Sequence, residues 1–217
     1  DLAACGAQPL YFTLALALPR ADEHFLAGFA EGLWALAERH DIELVGGDTT
    51  AGPLNICITV FGQVPAGQAL LRSGARAGDE LWVSGTLGDA RAALEVFRGT
   101  LDVGGDVFAA WRRAMECPEP RVALGQRLRG VASSAIDVSD GLLGDLAHIL
   151  RRSGVGARLD VDALPRSAAL ATLPPAMQRE CLLAGGDDYE LLFSAAPPQR
   201  DAVQRAARDA GVAVTCI

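Results

Sequence analysis

The stretch Ser134-Ala135-Ile136-Asp137-Val138-Ser139-Asp140-Gly141-Leu142-Leu143 contains the change of period that decides how the chain reads. Ser134 to Val138 is a short strand-like run. From Ser139 onward the apolar residues Leu142, Leu143, Leu146, Ile149 and Leu150 recur at helical spacing and mark one face. A strand running straight into a helix leaves Asp137 at the junction, Ser139 at the helix N-cap and Asp140 in the first turn. That turn offers unpaired amides and the positive end of the helix dipole, an arrangement that suits an anion. Two carboxylates placed there suit a metal that in turn holds phosphate oxygens. The plainer reading is an ordinary cap, with Asp140 complementing the dipole.

Working outward toward the C-terminus, strands are expected near 157–161, 190–194 and 212–217, with helices near 166–173 and 199–210. Toward the N-terminus, helices are expected near 121–129 and 106–115. Before them come a helix opened by Gly85-Thr86-Leu87-Gly88-Asp89 and a strand from Glu80 to Ser84. Pro65-Ala66-Gly67 is the best linker. Ahead of it lie strands at 11–18, 43–45 and 54–64, and a helix capped by Asp22 with Phe25, Leu26, Phe29, Leu33 and Ala37 on one face. Asp1 to Gly6 reads as the tail of a helix. No repeat of about 20–50 residues is present. The elements mix irregularly, so the chain reads as α+β with a boundary near residue 66.

Two more acidic, glycine-punctuated segments border hydrophobic runs. Gly46-Gly47-Asp48-Thr49-Thr50 reads as a turn in which paired glycines let backbone approach a ligand and Asp48 could take a metal; an Asx-turn reads equally well. Gly185-Gly186-Asp187-Asp188 precedes a strand, where its acids could reach a cation or simply face water. Arg72 in Leu71-Arg72-Ser73-Gly74 could grip a phosphate, or be solvated. Gly85 to Asp89 lacks the Walker lysine and the spacing of a phosphate loop. The three histidines are scattered, and no Ser/His/Asp arrangement emerges.

Composition narrows the chemistry. The chain has 217 residues, half of them hydrophobic, enough for one large core or two modest ones. A net charge of −8 argues against a nucleic-acid surface and against bare binding of anions. No lysine occurs anywhere. Any phosphate handling therefore falls to arginine, backbone amides and a hard cation such as Mg²⁺, which takes oxygen ligands. The five cysteines form no CxxC pair, which is expected of buried, reduced thiols in the cytosol. No apolar run reaches the roughly 20 residues of a membrane span.

Taken together, Asp1-Leu-Ala-Ala-Cys-Gly-Ala, Leu44-Val-Gly-Gly-Asp-Thr-Thr, Leu71-Arg-Ser-Gly-Ala, Ile136-Asp-Val-Ser-Asp-Gly-Leu and Gly185-Gly-Asp-Asp-Tyr-Glu-Leu resemble the thiamine-monophosphate kinase family. That family lies in the aminoimidazole-ribonucleotide-synthetase-like superfamily, and the resemblance covers essentially the whole chain. It implies the two-domain fold of that superfamily, with 1–66 the remainder of an N-terminal ATP- and metal-binding domain. Residues 67–217 would be a C-terminal α+β domain, incomplete at its end. It also implies ATP-dependent phosphorylation of thiamine monophosphate to thiamine diphosphate with several Mg²⁺ ions, in a cytoplasmic homodimer paired through strands such as 54–64.

Carried over by matching position, the metal ligands are Asp1, Asp48, Asp137 and Asp140, expected to converge in space. Gly47, Asp48, Arg72 and Ser139 would contact ATP. Asp187 stands where the family usually has a glutamate that touches the thiamine moiety. Members also carry an N-terminal segment with an Asp-Asp motif, a Ser-Thr-Asp motif and a substrate-contacting histidine. None of these is in the sequence, and the chain reads as a fragment whose own activity is open. The alternatives are another ATP-using synthetase of the superfamily and a non-catalytic nucleotide-binding or dimerising fragment.

Overall fold

A crossover of the βαβ type organises the first part of the chain. Strand β1 (Gln8–Leu18) leads through helix α1 (Glu23–Arg39) to strand β2 (Glu43–Ala51), which lies parallel to β1; β3 (Asn55–Gln63) runs antiparallel along the other edge of β1. Parallel neighbours need a long return, and the helix supplies it. Asp22 caps α1, its carboxylate accepting the Phe25 amide at 3.1 Å. The computed structural model describes residues 1–217, which divide into two units: residues 2 and 7–65, and residues 1, 3–6 and 66–217.

Within the smaller unit, the segment read as a Gly-Gly-Asp-Thr-Thr turn is the body of β2. Gly46 to Thr50 pair in register with Thr13 to Ala17 of β1. Tertiary pairing has overridden the turn tendency of the two glycines. A Cβ on Gly47 would collide with the carbonyl oxygen of Leu14, so glycine here serves close strand approach. Few residues of this unit are buried, among them Phe12, Leu16, Leu18 and Ala37, and every residue of β3 is exposed.

The larger unit is a four-stranded antiparallel sheet ordered β5-β6-β4-β7, built from β4 (Glu80–Ser84), β5 (Ser134–Asp137), β6 (Leu191–Ala195) and β7 (Val214–Cys216). Alternation along each strand sends side chains to two faces. Val83, Ile136 and Leu192 join a core with helices α2 (Asp89–Phe97), α3 (Gly105–Glu116), α5 (Leu142–Ser153) and α6 (Pro175–Ala184). Trp82, Ala135, Leu191 and Phe193 join a second core with α4 (Val122–Arg127) and α7 (Arg200–Ala210). Both faces of this sheet are therefore covered. The turn at residues 1–6, closed by a bond from the Cys5 amide to the Asp1 carbonyl, contributes Ala3 and Ala4 to the second core.

Several sequence expectations change here. The run 157–161 is not a strand; it is irregular chain ending in a 3₁₀ turn that Asp160 caps by accepting the Asp162 amide. A 3₁₀ turn at Leu170–Thr172 replaces the helix expected at 166–173. There Arg166 ties the loop together, donating to the Val161 carbonyl and to Gln178 Oε1. Helix α6 was not expected, although Pro175 at its first turn is a start signal. Only Cys181 of the five free cysteines is buried. Leu143, expected on the apolar face of α5, is exposed. No helix is long and apolar enough to cross a membrane.

Candidate active site

Strands β5 and β6 are antiparallel neighbours, so the loop after β5 and the loop before β6 emerge side by side. Their backbones continue the ladder past the sheet. The Val138 amide donates to the Glu190 carbonyl at 2.8 Å, the Tyr189 amide to the Val138 carbonyl at 2.8 Å, and the Asp187 amide to the Ser139 carbonyl at 2.9 Å. The closeness explains a glycine: a Cβ on Gly186 would lie 2.5 Å from the Ser139 carbonyl oxygen. Asp137, Ser139 and Asp140 are thus stitched to the segment bearing Asp187. Asp187 and Tyr189 both have left-handed backbone, at φ 63° and 50°. The Tyr189 hydroxyl donates to the Asp187 carboxylate at 3.2 Å.

Ser139 is not the cap of α5. The helix begins at Leu142, its N-cap is Gly141, and no side chain caps it. The amides of Ser139 and Asp140, which the sequence offered to phosphate, are both taken by Oδ2 of Asp145 at 3.0 Å. Burial raises the pKa of Asp145; those two amides lower it, and the charges of Asp140 and Asp137 raise it again.

The second feature is an open cleft of about 440 Å³ in the same unit, lined by Asp1, Arg72, Asp137 and Arg152 among others. Arg72 is brought there because its segment runs along the edge of β5, where the Ala135 amide donates to the Leu71 carbonyl at 2.8 Å. Three sequence-predicted residues therefore share one cleft. Two arginines and two aspartates are among its lining residues, with no lysine involved. The other two expected residues, Gly47 and Asp48, lie in the smaller unit on β2, where Asp48 is exposed and pairs in register with Ala15.

Sequence reasoning missed three features, Arg152, Asp145 and the Glu190 pair, and misread a fourth, Asp188, which was expected to reach a cation or face water. Arg152 sits on the last turn of α5, at a position the apolar periodicity leaves free. Asp145 contacts amides five and six residues earlier, a reach that no cap rule covers. Asp188 accepts the Gly88 amide through both carboxylate oxygens, at 2.9 and 3.1 Å, and so closes the glycine loop that begins α2. Burial pushes its carboxyl up to about 8, with the Gly88 bond opposing and Asp89, Glu190 and Asp187 adding to the rise. Glu190 is buried in a bidentate pair with Arg121, with Nε to Oε2 at 2.8 Å, and also accepts the Ser84 hydroxyl. The acidic run of Gly185 to Glu190 was the available signal for the last two.

The donor set fits a hard divalent cation in a particular way. Asp137 is largely buried and makes no hydrogen bond through its carboxylate within the chain, and its neighbour Asp140 is likewise free. No three carboxylate, imidazole or thiol groups gather tightly enough to cage an ion. Mg²⁺ characteristically takes one or two carboxylates and completes its shell with water and phosphate oxygens. These residues match that pattern and not an all-protein Ca²⁺ or Zn²⁺ cage.

The chain matches the AIR synthase related protein family, its N-terminal domain over residues 1–64 and its C-terminal domain over 76–217. Thiamine-monophosphate kinase from Salmonella typhimurium is 47% identical over 220 residues, covering 100% of this chain and 67% of that protein. The crystal structure of thiamine-monophosphate kinase from Stenotrophomonas maltophilia superposes with a TM-score of 0.95 at 50% identity, over 100% of this chain and 71% of the other. A complex of AaThiL with AMPPCP and TMP superposes with a TM-score of 0.87 at 28% identity, over 100% of this chain and 69% of the other.

Proposed function

Because the chain belongs to the AIR synthase related family and, within it, to the thiamine-monophosphate kinases, we propose that its activity is ATP-dependent phosphorylation of thiamine monophosphate to thiamine diphosphate. The observation that carries the site assignment is the meeting of Asp1, Arg72 and Asp137 around one cleft, beside stitched loops that bear Ser139, Asp140 and Asp187.

The chemistry is direct in-line transfer. A phosphate oxygen of thiamine monophosphate attacks the γ-phosphorus of ATP, a new P–O bond forms, and the bond to ADP breaks. The attacking oxygen is already anionic, so no general base is needed. Bound Mg²⁺ supplies neutralisation of charge between two repelling polyanions. Asp137 and Asp140 would hold that ion, while Asp1 and Asp48 are assigned to metal, and Gly47 and Asp48 to ATP, by their family match. Arg72 grips a phosphate through its planar fork. Ser139, its amide already engaged, offers ATP its hydroxyl. Asp187 offers its carboxylate to the cationic thiamine moiety.

The assembly is assigned as a homodimer in the cytoplasm. The support for the dimer is β3, an edge strand whose Ile56, Ile58, Val60 and Phe61 are all more than two-fifths exposed. Unpaired apolar edges of this kind attract a second chain.

Asp137→Asn in the complete protein tests the mechanism. Formation of thiamine diphosphate should drop at least about 100-fold, since a lost metal ligand removes several kcal/mol of charge stabilisation. Near-normal turnover in that variant removes the metal role of Asp137.

A further inference from the structure

We propose that Asp145 is a positioning residue for the phosphoryl transfer: its buried carboxylate sets Ser139 and Asp140 for nucleotide and metal and, through Ser139, sets Asp187 for the substrate. The inference rests on the kinase reading above and extends it to a residue that makes no contact of its own with the reactants.

Asp145 lies one turn into α5, and helical side chains lean back toward the N-terminus. From there Oδ2 accepts the amides of Ser139 and Asp140, each at 3.0 Å. Those amides precede the helix, so they are not the orphan donors of its first turn. Bonding them adds little to the helix itself. What it does is bend the four residues between β5 and α5 into a fixed hook. The Ser139 hydroxyl and the Asp140 carboxylate make no bonds within the chain and are left for ligands. The Ser139 carbonyl then receives the Asp187 amide at 2.9 Å, which carries the constraint into the second loop.

The choice of residue is informative. A neutral acceptor such as Ser, Thr or Asn makes a serviceable cap. Asp145 is a carboxylate, only 3% exposed, and close enough to Asp137 and Asp140 to feel both charges. The charges of Asp137 and Asp140 act against that of Asp145, and a cation held by Asp137 and Asp140 would offset them. A charged acceptor also makes stronger bonds to amide donors than a neutral one. Groups that orient metal ligands from behind commonly alter metal affinity or activity by about 10- to 100-fold when removed.

Asp145→Ala and Asp145→Asn, each in the complete protein, test this. Three quantities are followed: Mn²⁺ affinity by electron paramagnetic resonance, affinity for a non-hydrolysable ATP analogue by calorimetry, and the Mg²⁺ concentration for half-maximal rate. The alanine variant should weaken metal and analogue binding about 10-fold or more and raise the Mg²⁺ requirement in step. The asparagine variant keeps an acceptor oxygen and should recover most of the analogue affinity. If the alanine variant does not fold, Asp145→Glu, whose carboxylate is displaced by one methylene, should show the raised Mg²⁺ requirement in a folded protein. A folded variant, alanine or glutamate, with lowered thermal stability but unchanged metal and analogue binding would overturn the proposal. Failure of the kinase reading shows elsewhere, as a wild-type protein that makes no thiamine diphosphate.

Discussion

The two units differ in how far each completes its own interior. In the larger one, helices cover both faces of the sheet, and Val83, Leu192 and Phe193 are fully inaccessible to water. In the smaller one, α1 accompanies a three-stranded sheet, yet Tyr11, Trp34, Leu36, Val45, Ile56, Ile58, Val60 and Phe61 are exposed. A unit of about 60 residues buries too small a fraction of its surface to be more than marginally stable alone. The larger unit provides a rigid seat for Asp137 and Asp140, whereas the smaller carries Asp48 on a strand with little packed around it. Stability and ligand binding are therefore expected to be distributed differently between the two.

The largest effect should come from Asp48→Asn in the complete protein. Thiamine diphosphate formation should fall at least about 100-fold, as for Asp137→Asn, while the melting temperature hardly moves, because Asp48 is exposed. A variant that keeps its activity would remove the metal role of Asp48. Next in size is the core. Phe193→Ala should cost near the top of the roughly 3–5 kcal/mol range in urea unfolding, and Phe12→Ala near the bottom, since a sparse interior collapses around the gap. Equal costs would break the comparison.

Smaller again is the effect on assembly. Ile58→Lys on β3 should shift the protein from dimer to monomer in sedimentation, whereas Phe97→Lys, on an exposed residue of the larger unit, should not. The smallest expected effect is on pH dependence. The fold holds Asp188 in its protonated form up to about pH 8, above the ordinary carboxyl value. Its contribution to stability is therefore complete below that ordinary value and is lost as pH rises through about 8. Asp188→Asn keeps an acceptor for the Gly88 amide and carries no charge. Thermal melts from pH 6 to 9 should decline less steeply in that variant than in the wild type.

Local pattern made most of the fold legible. The 3.6-residue period of α1 with its Asp22 cap, and the strands β1, β3, β4 and β6, were readable because each is specified by its own residues. Long-range partners decided the failures. Gly46 to Thr50 carries turn chemistry, but β1 lies alongside and makes it strand. Residues 157–161 look extended, but no sheet edge receives them. In the site, residue type and spacing singled out Arg72 and Asp137, and the family resemblance added Asp1; the fold brings the three to one cleft. The helix-start signal at Ser139 misled, because the acceptor that claims its amide comes from Asp145 further along the chain. Arg152 and the buried Arg121–Glu190 pair join residues too distant in sequence for any motif to connect.

The seam between the loops of residues 137–141 and 185–190 is made of peptide groups alone. Such a joint needs glycine at 186 but does not draw on the carboxylate at 187, so that side chain can change while the neighbouring aspartates stay where they are. On the proposed function, the substrate contact is an interchangeable fitting on a fixed mount, adjustable without retooling the residues beside it.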